Sequence, residues 1–216
     1  MQIKCIKYKN TFYYMSENID KIIYINLNKR TDRRAEIEEE LNKFNLPFER
    51  FEAIETPTFG TLGCCKSHLA VLKLAKERGY KNVLILEDDF TFLVSKETFE
   101  EQLARFFYDK IDYDVLMLSY NEQKQLPSDY EYVFKILYVQ TASGYIVNQA
   151  CYDTLINLYE YAVPLLESTS EHWNYTNDAI WNRIIPNRNW FGFVTRMGKQ
   201  RPSYSDNGCT WADYGV

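Results

Sequence analysis

The stretch that decides the fold of this chain is Asn82-Val83-Leu84-Ile85-Leu86-Glu87-Asp88-Asp89. Its unbroken apolar run is typical of a strand buried on both faces of a parallel sheet. The three carboxylates that follow would lie at the carboxyl edge of that sheet, where open α/β folds bind ligands. Crowded carboxylates repel one another unless a cation offsets them. The stretch therefore indicates either a solvated acidic turn or a site where Mg²⁺ or Mn²⁺ holds a diphosphate.

The elements before that stretch alternate between strands and helices. Strands are predicted at 21–27 and 47–54, and the helix between them begins with Thr31 as its N-cap. A second helix at 64–78 leads into the acidic stretch. This order predicts an α/β fold with a mostly parallel central sheet and helices on both faces.

The rest of the chain continues the pattern without a repeat or a linker. In chain order, we expect a helix at 96–108, a strand at 114–119, a strand pair at 132–140 and 143–147, a helix from 148 to about 161, a helix from 177 or 178 to 185, and a last strand at 190–196. We therefore assign residues 19–216 to one domain and residues 1–18 to an N-terminal extension.

Composition narrows the class of protein. The chain has 216 residues and 46% hydrophobic residues, which suits a globular domain. A net charge of −5 does not favour nucleic acid or an anionic membrane as partner. Five cysteines without a disulfide or zinc spacing indicate a reducing compartment. Because no signal core and no transmembrane segment are evident, we expect a cytoplasmic protein that meets a membrane only peripherally.

Basic side chains cluster where the first strand gives way to a helix. The turn reads Asn26-Leu27-Asn28-Lys29-Arg30-Thr31-Asp32-Arg33-Arg34. A helix N-terminus with arginines suits an anionic nucleotide, although a solvated helix start has the same pattern. Arg30 and Arg33 share a helix face, so we favour them over Arg34. A G-x-G-x-x-G motif and a P-loop are both missing, which argues against a dinucleotide dehydrogenase or a P-loop ATPase.

A glycine-containing turn precedes the second predicted helix. It reads Gly60-Thr61-Leu62-Gly63-Cys64-Cys65-Lys66-Ser67-His68. Ser67 and His68 are candidates to reach a ribose or a base, and a purely structural histidine is the alternative.

Asp178 begins another predicted helix and is either an N-cap or a general base aimed into a cleft. Glu171 and Asp206 are its rivals as base. The polar segment around Asp206 is either a loose terminus or a segment that folds back over the site.

Taken together, these motifs resemble glycosyltransferase family 25, which includes bacterial lipooligosaccharide galactosyltransferases and collagen β-galactosyltransferases. The motifs that carry the resemblance are Tyr24-Ile25-Asn26-Leu27 with Arg30, Arg33 and Arg34; Gly60-Thr61-Leu62-Gly63-Cys64 with Ser67-His68-Leu69; Ile85-Leu86-Glu87-Asp88-Asp89; Ser143-Gly144-Tyr145-Ile146; and Asn177-Asp178. Their order along residues 21–206 makes the set specific.

The resemblance implies a GT-A-like fold and an inverting transfer of a galactose- or glucose-type sugar from a UDP-sugar. The acceptor would be a hydroxyl of a glycan, a lipooligosaccharide or a glycoprotein, and the cofactor Mn²⁺ or Mg²⁺. In this assignment Asp178 is the base, Asp89 and Asp206 bind the metal, and Glu87 orients the ribose or a basic side chain. The nucleotide cradle comprises Asn26, Leu27, Arg30, Arg33, Gly63, Ser67, His68, Glu87 and Asp88.

Two other classes remain open. A metal-dependent phosphoesterase would use the same acids, but such enzymes usually need more metal ligands than two histidines supply. A non-catalytic carbohydrate-binding or scaffold protein on a degenerate transferase fold would have lost some of the expected acids, and all of them are present.

Overall fold

The structure, a computed structural model, describes residues 18–205 and 210–213. The strands are β1 (Lys21–Asn26), β2 (Glu49–Glu52), β3 (Asn82–Glu87), β4 (Phe90–Phe92), β5 (Val115–Met117), β6 (Asn121–Pro127), β7 (Val133–Gln140), β8 (Gly144–Asn148), β9 (Trp190–Phe193), β10 (Gly198–Gln200), β11 (Ser203–Ser205) and β12 (Thr210–Ala212). The helices are α1 (Thr31–Lys43), α2 (Gly60–Glu77), α3 (Lys96–Tyr108), α4 (Tyr152–Thr169), α5 (His172–Tyr175) and α6 (Asn177–Ile180). Short 3₁₀ turns lie at Gln149–Cys151, Trp181–Arg183 and Ile185–Asn187.

The centre of the fold is an eight-stranded sheet with the order β2-β1-β3-β8-β5-β9-β7-β6. Strand β1 runs parallel to β2 and β3, and β5 runs parallel to β9. Strands β8 and β7 run antiparallel to both of their neighbours, so the remaining strands share one direction. The prediction of a mostly parallel sheet is confirmed.

The apolar run of β3 serves both faces of the sheet. Val83 and Ile85 pack into a core cluster with helices α2 and α4, while Leu84 and Leu86 pack on the other face with α1 and α3. All four side chains are fully buried. Because successive strand residues point to opposite faces, a strand covered on both sides has no polar position.

Two predictions about the strands were wrong. Residues 132–140 and 143–147 do form strands, but β7 pairs with β6 and β9 whereas β8 pairs with β3 and β5. The apolar, buried side chains of β8 favour the middle of the sheet over the end of a hairpin. Strand β9 is also not the last strand, because β10, β11 and β12 follow it.

Helix boundaries differ from the sequence prediction at several ends. Helix α1 contains Thr31, and the residue before it, Arg30, makes no side-chain capping bond. Helix α2 begins at Gly60, and α4 continues through Pro164 to Thr169. The predicted helix at 177–185 is the single turn α6 followed by two 3₁₀ turns. Within residues 18–205 and 210–213, no helix is long and apolar enough to cross a bilayer.

The chain returns to the acidic stretch after leaving the sheet. Strand β10 pairs antiparallel with β4, which directly follows Asp89. We call residues 198–205 the C-terminal strap. Asp206 lies just beyond it, outside the described residues, so its assignment as a metal ligand stays a prediction. The boundary proposed at residues 18 and 19 also stays a prediction, since residues 1–17 are not described.

Candidate active site

A cavity of about 660 Å³ opens at the carboxyl ends of β1 and β3. This volume is typical of small-molecule sites. Its lining includes Asn26, Leu27, Arg33, Gly63, Cys64, His68, Glu87, Asp88, Asp89, Trp173, Thr176, Asp178 and Gln200. We call Asn26, Arg33 and residues 87–89 the sheet wall, and Trp173, Thr176 and Asp178 the helical wall. Most of the residues predicted from the sequence therefore meet in one cavity.

Asp88 is held by hydrogen bonds on both of its carboxylate oxygens. The amide Nδ2 of Asn26 donates to Oδ2 at 2.7 Å, and Nη1 of Arg33 donates to Oδ1 at 2.8 Å. Asn26 is itself oriented by Arg50, whose Nε donates to its Oδ1 at 3.1 Å. Burial raises the pKa of Asp88 above its ordinary value, although the charge of Arg33 acts against it. Both carboxylate oxygens of Asp88 are therefore already occupied by hydrogen bonds within the sheet wall.

Arg33 links the acids to the C-terminal strap. Its Nη1 lies 3.2 Å from Oδ2 of Asp89, in addition to its bond to Asp88. Its Nη2 donates to the hydroxyl of Ser203 and, at 3.2 Å, to the carbonyl of Tyr204. For the polar segment predicted at residues 200–206, the alternative in which it folds back over the site agrees with the geometry of residues 200–205.

The other two arginines of the turn face elsewhere. Arg30 donates to Asp32 at 2.8 Å and to the Tyr204 carbonyl at 3.2 Å, and it does not line the cavity. Arg34 donates to Glu38 on the surface of α1 at 2.9 Å. Preferring Arg33 to Arg34 agrees with the geometry, whereas the nucleotide role predicted for Arg30 does not, because Asp32 neutralises its charge outside the cavity.

Asp89 keeps one carboxylate oxygen open. Its Oδ2 accepts a hydrogen bond from Nε2 of Gln200 at 3.0 Å. Its Oδ1 is buried and has no hydrogen-bond partner among the residues that the structure describes. Burial, together with the negative charge of Glu87, raises the pKa of Asp89 to about 7. A buried carboxylate oxygen that accepts no hydrogen bond is unusual because it lowers the stability of the folded protein. A cation bound to this oxygen would offset that loss of stability.

Glu87 belongs to a second group on the floor of the cavity. Its Oε1 lies 3.0 Å from Nε2 of His68, whose Nδ1 lies 2.8 Å from the hydroxyl of Tyr145. The thiol of Cys64 donates to the same Oε1 at 3.7 Å. Burial raises the pKa of Glu87, but the hydrogen bond and charge of His68 and the charge of Arg33 outweigh it, so the pKa lies below its ordinary value.

Ser67 has a structural rather than a ligand-facing position, whereas Gly63 lines the cavity and also packs closely against Ile54. The Ser67 hydroxyl accepts from the Ile54 amide at 2.8 Å and donates to the Gly63 carbonyl at 2.7 Å. Its side chain is fully buried and does not line the cavity, so the predicted ribose contact of Ser67 does not fit. A Cβ at position 63 would lie 2.4 Å from the Ile54 carbonyl oxygen, so only glycine lets helix α2 approach that closely.

Asp178 is the carboxylate of the helical wall. Its Oδ1 accepts from the Thr176 hydroxyl at 2.8 Å and its Oδ2 from the Thr141 amide at 3.2 Å. The residue that precedes α6 is Thr176, so Asp178 is not the N-cap. Its rival Glu171 accepts from Asn174 at 2.8 Å and does not line the cavity. The geometry favours Asp178 over Glu171 as a base.

The sequence reasoning missed several contacts of the site. Gln200, Ser203 and Tyr204 hold the sheet wall from the strap, and Tyr145 holds His68. The sequence places Tyr145 within the strand motif Ser143–Ile146, but nothing local shows that its hydroxyl faces a histidine. Asn26 and Asp88, which are 62 positions apart, were both predicted as site residues and do meet.

Comparisons with known proteins identify the family of the chain. The profile described as "Glycosyltransferase family 25 (LPS biosynthesis protein)" matches residues 19–58 and 55–169. The "Putative glycosyltransferase R655" of Acanthamoeba polyphaga mimivirus is 34% identical over 111 residues, covering 41% of this chain and 33% of that protein. The chain thus spans about a third of the length of that relative.

Two solved structures are similar in fold. The crystal structure of a glycosyltransferase involved in the glycosylation of the major capsid of PBCV-1 has a TM-score of 0.50 and 11% identity, covering 88% of this chain and 95% of that chain. Protein A197 from STIV has a TM-score of 0.47 and 10% identity, with 80% of each chain covered. At such identities the likeness concerns the fold alone, and the PBCV-1 structure confirms the predicted GT-A-like α/β fold.

Proposed function

Because this chain belongs to glycosyltransferase family 25, we propose that it transfers a sugar from a nucleotide-sugar donor to a hydroxyl group of an acceptor. The observation that carries the proposal is the cavity itself, in which the acidic sheet wall and the carboxylate of Asp178 line one space. Family membership gives the reaction class, and the cavity gives the residues. A UDP-sugar is the donor, with galactose or glucose as the sugar.

The sheet wall binds the nucleotide side of the donor. Arg33 is the arginine of the first turn that lines the cavity, and it offsets both the acids and a diphosphate. Asn26, Leu27 and His68 complete the cradle with Glu87 and Asp88. Arg30 and Ser67 are left out because their side chains are engaged elsewhere, and Gly63 contributes only close packing.

The residues present fit a divalent cation. Asp89 would hold Mn²⁺ or Mg²⁺ through Oδ1, the buried oxygen that lacks a donor among the described residues. Asp206 is a second proposed ligand from beyond the strap. When bound, the ion supplies positive charge for the departing diphosphate. Until then, Arg33 and Gln200 keep the Asp89 side chain in place.

The helical wall receives the acceptor. Asp178 takes the proton of the attacking hydroxyl, and the Thr141 amide and Thr176 hydroxyl hold its carboxylate in position. Attack from the side opposite the leaving group gives inversion at the anomeric carbon. Trp173 lines the same cavity with 65% of its surface exposed, so its indole is free to stack on a sugar face. The acceptor is a glycan, a lipooligosaccharide or a glycoprotein.

Calorimetric titration with UDP, with and without Mn²⁺, tests the donor assignment. We expect UDP to bind in the presence of Mn²⁺ and Asp89→Asn to remove the Mn²⁺-dependent part, with Glu52→Gln as a control on an exposed acid outside the cavity. Equal UDP affinity of wild type and Asp89→Asn in Mn²⁺ would contradict the metal assignment.

A screen of UDP-sugars for slow donor hydrolysis then tests catalysis. Release of UDP from one sugar donor supports a transferase and identifies the sugar. UDP binding without turnover of any donor, even with candidate acceptors present, would point to a binding protein, and hydrolysis of simple phosphate esters to a phosphoesterase.

A further inference from the structure

Cys64, His68 and Glu87 form a cluster on the cavity floor, and the proposed transfer reaction uses only His68 and Glu87 of the three, in the nucleotide cradle. One ligand atom from each lies within 4.8 Å of the other two. Cys64 and His68 are four residues apart on α2 and therefore share a helix face, and Glu87 ends β3 opposite them. Thiol, imidazole and carboxylate together are the ligand types of zinc.

Two of the distances within this cluster lie close to those of a tetrahedral zinc centre, and the third is within 4.8 Å. Bond lengths of about 2.3 Å for sulfur and about 2.0 Å for nitrogen and oxygen place tetrahedral ligand atoms about 3.5 Å apart for sulfur and oxygen and about 3.3 Å apart for nitrogen and oxygen. The observed separations from Glu87 Oε1 are 3.7 Å to Cys64 Sγ and 3.0 Å to His68 Nε2. Small side-chain movements would suffice for an ion to bind.

The imidazole is also held as a metal ligand usually is. The Tyr145 hydroxyl lies 2.8 Å from Nδ1, which leaves Nε2 facing Glu87 and Cys64. The His68 ring is fully buried, so it cannot turn away. A hydrogen-bond partner on the second ring nitrogen fixes both tautomer and orientation in zinc sites.

We propose that Cys64, His68 and Glu87 bind Zn²⁺, with the fourth coordination position open to the cavity. On binding, the S–H bond of Cys64 breaks, its proton leaves to solvent and an S–Zn bond forms. The proton that Nε2 of His68 donates to Glu87 also leaves to solvent, and an N–Zn bond forms in its place. The proton that stays on the imidazole lies on Nδ1 and makes a hydrogen bond to the Tyr145 hydroxyl. The proposal rests on the geometry of these three side chains and not on transferase activity, and with zinc bound His68 and Glu87 hold the ion instead of contacting the nucleotide. The zinc site also differs from the oxygen site at Asp89, because thiolate and imidazole ligands prefer zinc to manganese or magnesium.

Titration of the reduced, full-length protein with Co²⁺ alone tests this proposal. Tetrahedral Co²⁺ with a thiolate ligand gives a charge-transfer band in the near ultraviolet and visible bands of high intensity. We expect both signals at one equivalent, followed by their loss when Zn²⁺ displaces Co²⁺. Cys64→Ser should abolish the charge-transfer band. Tyr145→Phe, which keeps the ring and removes the second-sphere partner, should weaken Co²⁺ binding about tenfold.

Two variants serve as matched controls. Cys65→Ser changes the adjacent buried cysteine, whose sulfur contacts Asn177 instead, and should keep the band. Asp89→Asn should keep it as well, which separates this site from the proposed donor metal. Absence of the band in the wild-type protein, or its persistence in Cys64→Ser, would overturn the proposal. Loss of the band in Asp89→Asn would overturn the separation of the two sites.

Discussion

The two walls of the cavity differ in how many of their side chains are already held by contacts within the protein. On the sheet wall, Asn26 and Asp88 are buried, Arg33 is half-buried, and the three are joined by hydrogen bonds of 2.7 and 2.8 Å. On the helical wall, Asp178 is held by two contacts and Trp173 exposes 65% of its surface. The charged groups of the sheet wall are therefore arranged before any ligand arrives, whereas the proposed acceptor surface of the helical wall is still exposed.

The largest effect on stability is expected when the guanidinium of Arg33 is removed from the sheet wall. Arg33→Gln leaves Asp88 and Asp89 buried without their positive partner, so we expect a loss of about 3 kcal/mol or more in the free energy of unfolding. Urea denaturation without divalent ions measures it. Arg34→Gln, which removes an exposed arginine beside it, should cost less than about 0.5 kcal/mol. Equal losses would mean that the sheet wall is not held by charge.

The same variant has a pH dependence with a definite sign. Burial raises the pKa of Asp89 to about 7 in the folded protein. A carboxyl with a raised folded pKa lowers stability as pH increases from its unfolded pKa to its folded pKa. Because Arg33→Gln raises the folded pKa further, the variant keeps losing stability above pH 7 where the wild type no longer does. The stability difference should therefore widen from pH 6 to pH 8, and a constant difference would contradict this account.

The helical wall should show its role in turnover rather than in stability. Asp178→Asn keeps the shape and removes the basicity, so we expect kcat to fall about 100-fold or more while the affinity for UDP changes less than about twofold. Steady-state kinetics and calorimetry separate these effects. Glu171→Gln, the rival outside the cavity lining, should leave kcat near the wild-type value. The reverse ranking would move the base to Glu171.

A smaller effect is expected from the exposed aromatic of the helical wall. Trp173→Ala should raise KM for the acceptor about tenfold, or about 1.4 kcal/mol, without changing KM for the donor. Trp211, which is 69% exposed on β12 and does not line the cavity, provides the control. If Trp211→Ala and Trp173→Ala alter acceptor KM equally, stacking in the cavity is not the cause.

The smallest change is expected at Arg30. Its guanidinium is already neutralised by Asp32 and bonded to the strap, so Arg30→Ala should change donor KM less than about threefold. The sequence prediction places Arg30 beside Arg33 in the nucleotide cradle and therefore expects a larger increase in donor KM. Donor kinetics on the single variant decide between the two. A tenfold increase in donor KM would mean that Arg30 turns into the cavity when the donor binds.

These cases indicate which parts of the molecule were accessible from the sequence. The run at residues 83–86 predicted a two-sided strand correctly, because burial on both faces excludes polar residues locally. The acids at 87–89 followed from the same logic, since the end of a buried strand fixes their place at the sheet edge. Features that depend only on the periodicity of a strand and on where it ends could therefore be predicted from the sequence.

The sequence was least informative where distant segments decide the outcome. The partners of β8 are β3 and β5. The apolar pattern of β8 indicates a strand in the middle of the sheet, but it does not identify which strands lie beside it. The direction of Arg30 depends on Asp32 and on a strap residue 174 positions away. Ser67 has a motif position that suggests a ligand contact, but its hydroxyl is engaged by backbone groups of Ile54 and Gly63.

The insertion of β8 between β3 and β5 also has a consequence for synthesis of the chain. When β3 leaves the ribosome, only β1 is available beside it, and its other edge stays unpaired until residues 144–148 follow. An exposed apolar strand edge invites association with other chains. A product truncated before residue 144 should therefore aggregate. Asp88 has its partners Asn26 and Arg33 in the first half of the chain, whereas Asp89 gains its contact with Gln200 only after the second half has folded.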